Sequence, residues 1–324
     1  MSFDGAAQQP KLLFLLQAVA AFTAVVGLVL LALHRGPASR RRGAAFLLLA
    51  PALTLLTAGL VVPALRTLVL SFTDGEGAAV GFDNYAWILT DPETLVALRN
   101  TVVWVVLAPL LVTATGLLYA AAVVRSRFRA LALALVLLPM AISFVGAGLV
   151  WRFVYAYRPA EADQIGLLNQ LVVTFGGEPR QWLVESPWNV LFLVVAMVWT
   201  QTGFAAVLLT GAIAAVPGEI TEAARLDGAS PRRLFWSVTV PSIRPTLLVV
   251  LLAEVTATFK AFDLVKTMTA GRFDTGVVAH EMYDQAFRYG RTGHGAALAV
   301  LLFLLVSPVV AHRFRTRRRA GWTA

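Results

Sequence analysis

Residues 188–213 read WNVLFLVVAMVWTQTGFAAVLLTGAI, an apolar run without a single charged side chain. At about 1.5 Å of rise per residue, such a run crosses the roughly 30 Å hydrocarbon core of a bilayer. Six further apolar runs stand at 12–33, 44–70, 101–124, 131–155, 246–265 and 295–311. The composition agrees with them: of 324 residues, 58% are hydrophobic and 14% charged, and the mean hydropathy is +0.75. Soluble domains are nearer half apolar and a quarter charged, and water cannot cover this much apolar surface. The sequence therefore predicts an all-α integral membrane protein of seven transmembrane helices. Pro51, Pro63 and Pro109 lie inside these runs. Neighbouring helices must satisfy the carbonyls each proline frees, so kinks are expected there. Run 12–33 has a second reading as a secretory signal. Its length exceeds the roughly 7–15 residues of a signal core, and no small-residue cleavage site precedes the arginines that follow, which favours a span.

The formal charge is +9. Apart from Lys11, Lys260 and Lys266, every basic residue is an arginine, and the arginines cluster between apolar runs. That is the pattern of membrane loops, not the basic face of a nucleic-acid-binding domain, so lipid and not nucleic acid is the expected surrounding. With the amino terminus outside, segments 34–43, 125–130, 214–245 and 312–324 face the cytoplasm. They carry twice the Lys and Arg of segments 1–11, 71–100, 156–187 and 266–294. Cytoplasmic loops hold the excess of positive charge, so a multi-pass chain with its amino terminus outside and its carboxyl terminus in the cytoplasm is expected. Arg40, Arg41, Arg42 and the tail 313–319 are the clearest signals. The chain has no cysteine, which excludes disulfides, thiolate metal sites and thiol nucleophiles.

Outer segments 71–100 and 156–187 contain Asn84, Tyr85, Trp87 and Trp182 among prolines and glycines. Trp and Tyr favour the membrane interface, and the same residues also suit a surface on which an outer partner rests. Both readings stand. His280 and His294 have no second ligand at metal spacing, and no site is assigned to them.

The cytoplasmic loop 217–245 is the most informative part of the chain. Pro217 suits a helix start, and Glu219 and Glu222 fall in or near the first turn, where the helix dipole favours acids. Gly228 can end that helix and Pro231 can open a second. Ile220, Ala223, Ala224 and Phe235 form an apolar side too small for a core of its own. An interfacial helix lying on lipid would explain the apolar side and the arginines. It would not explain the small residues, nor acids facing an anionic leaflet. A docking helix explains both, because a groove on a partner needs small residues for fit and charge for register.

The run Glu222-Ala223-Ala224-Arg225-Leu226-Asp227-Gly228-Ala229-Ser230, followed by Phe235 and Val240-Pro241, resembles the EAA loop of binding-protein-dependent ABC importer permeases. It departs from that pattern at Val240, where leucine is usual. The resemblance implies a type I ABC importer permease bundle over 44–313. An extra transmembrane helix and basic loop (1–43) would precede it, and a basic cytoplasmic tail (314–324) would follow. It also implies that the loop is a coupling helix held in a cleft of an ATPase. Glu222 would make the polar contact, Ala223 and Ala224 the packing and Gly228 the turn, with Asp227 and Ala229 completing the docking set. No G-x-x-x-x-G-K-[ST] phosphate loop occurs, so ATP and magnesium belong to a separate polypeptide and this chain carries no cofactor.

Two further stretches narrow the resemblance. Residues 137–146 with Trp151 and Tyr155 look like carbohydrate permeases of the alpha-glucoside branch. Residues 280–287 and 293–299 are similar to the maltose-permease F-type subunit. That family works as two permeases (F-type and G-type), an ATPase dimer and an extracytoplasmic sugar-binding protein in the cytoplasmic membrane. A substrate path follows from polarity, because a polar group inside a span faces a cavity or another helix. Gln201, Thr202 and Phe204 lie in one run, and Glu254 and Thr258 share a face of the next at i, i+4. These positions match those lining the sugar site of the F-type subunit. A hydrogen bond that only joins helices is the other reading of Gln201 and Glu254. Lys260 and Asp263 are spaced for an ion pair. A lipid-linked transferase would need paired carboxylates or clustered histidines, and a secondary transporter would need more coupling acids than Glu254 alone. Other cargo classes, among them amino acids, phosphate and polyamines, stay open.

Overall fold

The computed structural model describes residues 41–259 and 261–320. The expected span 12–33 and Lys260, with its Asp263 pairing, lie outside them. The described residues are helical, and the only strand-like pairing among them is an isolated antiparallel bridge between Thr73 and Ala79. Contacts divide the chain into Met1–Val69 and Leu70–Ala324.

In the first unit, α1 (Arg41–Leu56) passes through a π-helical turn (Thr57–Val61) into α2 (Val62–Leu70). Pro63 has no N–H to give, and its ring crowds the carbonyl four residues back. The helix widens instead, and Val62 N–H donates to Thr57 O. The kink expected at Pro63 is thus a π-turn. The stretch Leu49–Leu70 is 22 residues long and apolar enough to cross a membrane.

The second unit opens with α3 (Asp83–Thr90) and the long α4 (Pro92–Val123). Asp91 caps α4 by accepting from Thr94 N at 2.9 Å, with Pro92 in the first turn. Next come α5 (Arg129–Leu137), a 3₁₀ turn (Leu138–Ala141), α6 (Phe144–Val154) and α7 (Leu167–Thr174). After α8 (Asn189–Ala214) the loop 217–245 forms α9 (Gly218–Leu226), α10 (Pro231–Leu234), a π-turn (Phe235–Thr239) and α11 (Val240–Ser242). The chain finishes with α12 (Arg244–Thr258), α13 (Ala261–Met268), α14 (Val278–Tyr283), a π-turn (Asp284–Arg288) and α15 (Thr292–Ala320).

Helices α4 and α8 form the spine. Gly116 permits their close approach: a Cβ there would lie 2.5 Å from the Ala205 Cβ. Gly203, on α8, lies against the backbone of Val136 and Leu137 in the same way. Small residues let helix backbones approach in lipid, where packing replaces the hydrophobic effect as the driving force. Around this spine, Trp104, Leu193, Met197, Leu264 and Val265 form one buried cluster. Val112, Leu117, Ala205, Leu209, Ile243 and Val250 form a second, nearer the loop 217–245.

Only some of the expected spans are straight. Among the described residues, Leu49–Leu70, Pro92–Val123 and Asn189–Ala214 are long and apolar enough to cross alone. Run 131–155 is two legs, Arg129–Ala141 and Phe144–Val154, meeting at 98°. Pro139 helps end the first leg, and Ser143 caps the second by accepting from Gly146 N at 3.1 Å. In run 246–265 the described helices are α12, ending at Thr258, and α13, starting at Ala261. The leg Pro231–Ser242 meets α12 at 70°, just before Pro245, which suits a helix start.

Candidate functional site

The loop 217–245 follows its local chemistry closely. Asp227 N–H donates to Ala223 O, Gly228 N–H to Arg225 O and Ala229 N–H to Ala224 O, each at 3.0 Å. This is the paired closure of a Schellman motif, which needs a left-handed residue after the helix; Gly228 provides it at φ 79°. Ser230 then caps α10, accepting from Arg233 N, and Pro231 occupies its first turn. The expected helix, glycine break and second short helix are all present. Leu234 is buried and Phe235 packs on the cluster around Val112 and Leu209. The loop is thereby fixed to the adjoining ends of α4 and α8.

Beyond that anchor the loop is bare. Glu222, Ala223, Asp227 and Gly228 are exposed, while Ala224 and Ala229 are half-buried. Leu226 is 89% exposed, and among the described residues Glu222 has neither an ion pair nor a side-chain hydrogen bond. An exposed helix carrying an uncovered leucine, small residues and an unpaired acid has the composition of a docking face.

The second candidate site is between α8 and α12. Gln201 Nε2 donates to Glu254 Oε2 at 3.5 Å, the long limit for such a bond. Glu254 is 1% exposed, and its Oε1 meets no donor among the described residues. The structure thus brings Gln201 and Glu254 together and leaves half of the carboxylate unused. Thr202 turns elsewhere: its hydroxyl donates to Val198 O and shares a 3.0 Å hydrogen bond with Thr115 on α4. Thr258 donates to Val255 O within its own helix. Phe204 is half-buried on α8.

Sequence reasoning missed the groups that hold the opposite end of the bundle. Asn100, on α4, donates from Nδ2 to Asp274 O at 2.6 Å and Gly276 O at 2.8 Å. Asn189, at the start of α8, donates to Phe273 O. Together they clamp the loop after α13, in which Ala270, Phe273 and Asp274 have positive φ values of 54°, 59° and 58°. Beside it Asp284 takes Lys266 and Arg288, each at 3.2 Å. Burial alone would raise the Asp284 carboxyl, but these cations outweigh it and hold the pKa below the usual carboxylate value. Burial lowers the His280 pKa; Asp284 opposes that shift, and Lys266 and Arg288 reinforce it. Trp104 and Trp151 bury indole N–H groups that meet no acceptor among the described residues. Trp151 also packs against Tyr155 and Trp199. A tryptophan inside an apolar run is the one sequence signal that pointed toward this cluster.

Similarity to known proteins places this geometry. The chain belongs to the binding-protein-dependent transport system inner membrane components, whose family model matches residues 105–319. It is 46% identical over 266 residues to the osmoprotective compounds uptake permease protein of Synechocystis sp., covering 82% of this chain and 95% of that one. It is 42% identical over 277 residues to the alpha-glucoside transport system permease protein of Rhizobium meliloti, covering 85% and 82%. The fold matches a chain in the crystal structure of a bacterial alginate ABC transporter in complex with alginate pentasaccharide-bound periplasmic protein. The TM-score is 0.72 at 20% identity, over 88% of this chain and 97% of the other. The chain is therefore a membrane-embedded permease subunit of an ABC importer, a transport pore whose ATP hydrolysis is carried out by a separate subunit.

Proposed function

We propose that this subunit carries a sugar, an alpha-glucoside di- or oligosaccharide, into the cytoplasm. The observation that carries the docking half of this reading is the exposed helix α9 with its unpaired Glu222. Its face of Glu222, Ala223, Ala224, Asp227, Gly228 and Ala229 seats in an ATPase dimer that binds ATP and magnesium. A G-type permease pairs with this chain, and an extracytoplasmic sugar-binding protein delivers the cargo. The amino terminus lies outside and the carboxyl terminus in the cytoplasm, with 44–313 as the importer bundle, 1–43 as an added helix and basic loop, and 314–324 as a tail.

Closure of the ATPase dimer pulls on α9. The Schellman turn and the Leu234–Phe235 anchor pass that displacement to α4 and α8 as a rigid-body movement, because packed elements shift between discrete arrangements and do not stretch. The spans open outward, and sugar leaves its binding protein for the path along Gln201, Thr202, Phe204, Glu254 and Thr258. The unused Glu254 oxygen accepts a hydroxyl there, and Phe204 offers a ring face to the apolar side of a sugar. Hydrolysis restores the inward state.

The relative from Synechocystis favours a second cargo, an osmoprotective compound, on the same path; an alpha-glucoside and an osmoprotectant are distinguished by binding assays on the delivering protein. The docking face is tested by Glu222→Lys, which is expected to abolish uptake and to reduce co-purification of the ATPase at least about tenfold, the loss of one buried charge-assisted contact. Normal uptake in that variant would remove the basis for the docking claim.

A further inference from the structure

The start of α4, the clamped loop and α14 enclose a cleft of about 270 Å³. Glu93, Glu281, Asp284 and His280 line it, with Arg272 and Arg288. The cations are unevenly spent. Asp284 takes both Lys266 and Arg288, while Glu93 and Glu281 have no cationic partner among the described residues. Glu281 instead accepts from Gln285 Nε2 at 2.8 Å. Burial pushes its pKa up, and Glu93, Asp91 and Asp284 add to that against the Gln285 hydrogen bond.

A second, independent feature points to a missing ligand. His280 is 4% exposed, lines the same cleft, and its Nε2 meets no hydrogen-bond partner among the described residues. The large majority of buried side-chain polar atoms are hydrogen-bonded, so this one calls for a donor or acceptor from elsewhere. A metal ion is a poor fit, since the described residues contain no group of three or more His, Cys, Asp and Glu arranged to hold one. Two carboxylates and an imidazole nitrogen form instead an acceptor-rich site for a group with several N–H donors, and a guanidinium or ammonium is that group.

We propose that this cleft receives a basic side chain, arginine or lysine, of the extracytoplasmic binding protein, held between Glu93 and Glu281. The inference rests on the importer reading and on the outward placement of 71–100 and 266–294. The occupant is a protein side chain and not a free cation, because Arg272 also lines the cleft without an ion pair among the described residues. A matching surface therefore presents an acid beside its base, and a paired arrangement of opposite charges fixes register as well as attraction. The position suits a signal: the cleft is walled by the loop that Asn100 and Asn189 clamp to α4 and α8, the two helices of the spine.

The test uses the whole transporter, with both permeases and the ATPase dimer, in lipid nanodiscs, and reads ATPase stimulation against the concentration of the sugar-loaded binding protein. Glu93→Gln with Glu281→Gln keeps the shapes and removes the charges. The half-maximal concentration is expected to rise roughly three- to tenfold, with a shallower dependence on salt and unchanged basal ATPase. Glu281→Arg is expected to weaken docking further, and exchanging the partner's basic residue for glutamate is expected to recover part of it. A half-maximal concentration and salt slope equal to those of the unaltered complex would overturn the inference. Absence of any stimulation in the unaltered complex would overturn the importer reading, and this inference with it.

Discussion

Replacing Asn100 by alanine removes one side chain and releases a whole loop. Asn100 is 1% exposed and is linked to Asp274 O and Gly276 O by two hydrogen bonds. A buried acceptor left without its donor costs about 1–3 kcal/mol. Asp274 itself is exposed, so water recovers part of its loss and the lower end applies there. The loop also holds three non-glycine residues at positive φ, each strained by about 1–2 kcal/mol and held only by its surroundings. Without the clamp the loop relaxes, which returns some of that strain and lowers the net cost. The expected loss is about 2–3 kcal/mol, felt locally. Hydrogen exchange on the extracted transporter is expected to show faster exchange over residues 269–277, with α9 unchanged, and protease is expected to cut there first. Binding-protein stimulation of the ATPase is expected to fall while basal turnover holds, because the loop walls the cleft proposed to receive that protein. Exchange within a factor of two of the unaltered protein would refute the clamp.

Gly203→Ala places a Cβ against the backbone of Val136 and Leu137, which cannot step aside. It is expected to cost about 1–3 kcal/mol as a lower unfolding midpoint, whereas Gly211→Ala, with nothing within 4 Å, is expected to be neutral or slightly stabilising. Glu254→Ala is expected to cut sugar uptake roughly tenfold while both permeases and the ATPase still co-purify; an unchanged rate and sugar preference would leave Glu254 as a link between α8 and α12 only. Acidification acts on segment 266–294 in two directions: His280 loosens it, while Glu281, whose burial raises its carboxyl pKa, binds its proton first in the folded state and opposes that. His280 has a folded pKa below its ordinary 6.5, so the unfolded chain binds its proton first and stability falls as pH drops below about 6.5. Asp284, held below its ordinary 3.8, contributes stability present above that value and lost as pH falls through its folded pKa. Protection factors over α14, corrected for the intrinsic pH dependence of amide exchange, that are equal in Glu281→Gln protein at pH 7.5 and pH 5.5 would contradict the histidine part.

The loop 217–245 was legible in detail because its chemistry is local. Pro217, Gly228, Ser230 and Pro231 each act within a turn of their own position, and the Schellman closure needs only Gly228. Helix existence was legible for the same reason, since hydropathy reports how much apolar surface a run carries. It does not report direction. The 98° bend after Ala141 and the 70° bend before Arg244 were marked only by Pro139, Ser143 and Pro245, each of which also fits an ordinary kink. The clamp made by Asn100 and Asn189 was invisible for a different reason. Asn100 and Asp274 are 174 residues apart, and no local pattern encodes their meeting. Lys266 illustrates the same limit: its ion-pair partner is Asp284, in the segment after the loop. Gln201 and Glu254 were found as polar residues in apolar runs, and the structure brings them together. Thr202 and Thr258 were found by the same rule, but their hydroxyls bond to α4 and to α12 itself.

The central claim is that this chain is the pore through which an ATPase, engaged at Glu222, drives inward movement of a sugar delivered from outside. Its most direct test is to purify the chain with its co-purifying subunits, reconstitute them in lipid, and measure ATP turnover with and without the sugar-loaded binding protein. The account predicts a co-purifying ATPase whose turnover rises severalfold with the loaded binding protein and loses that rise when Glu222 is lysine. A chain that purifies without an ATPase, or a turnover indifferent to the loaded binding protein, would contradict it.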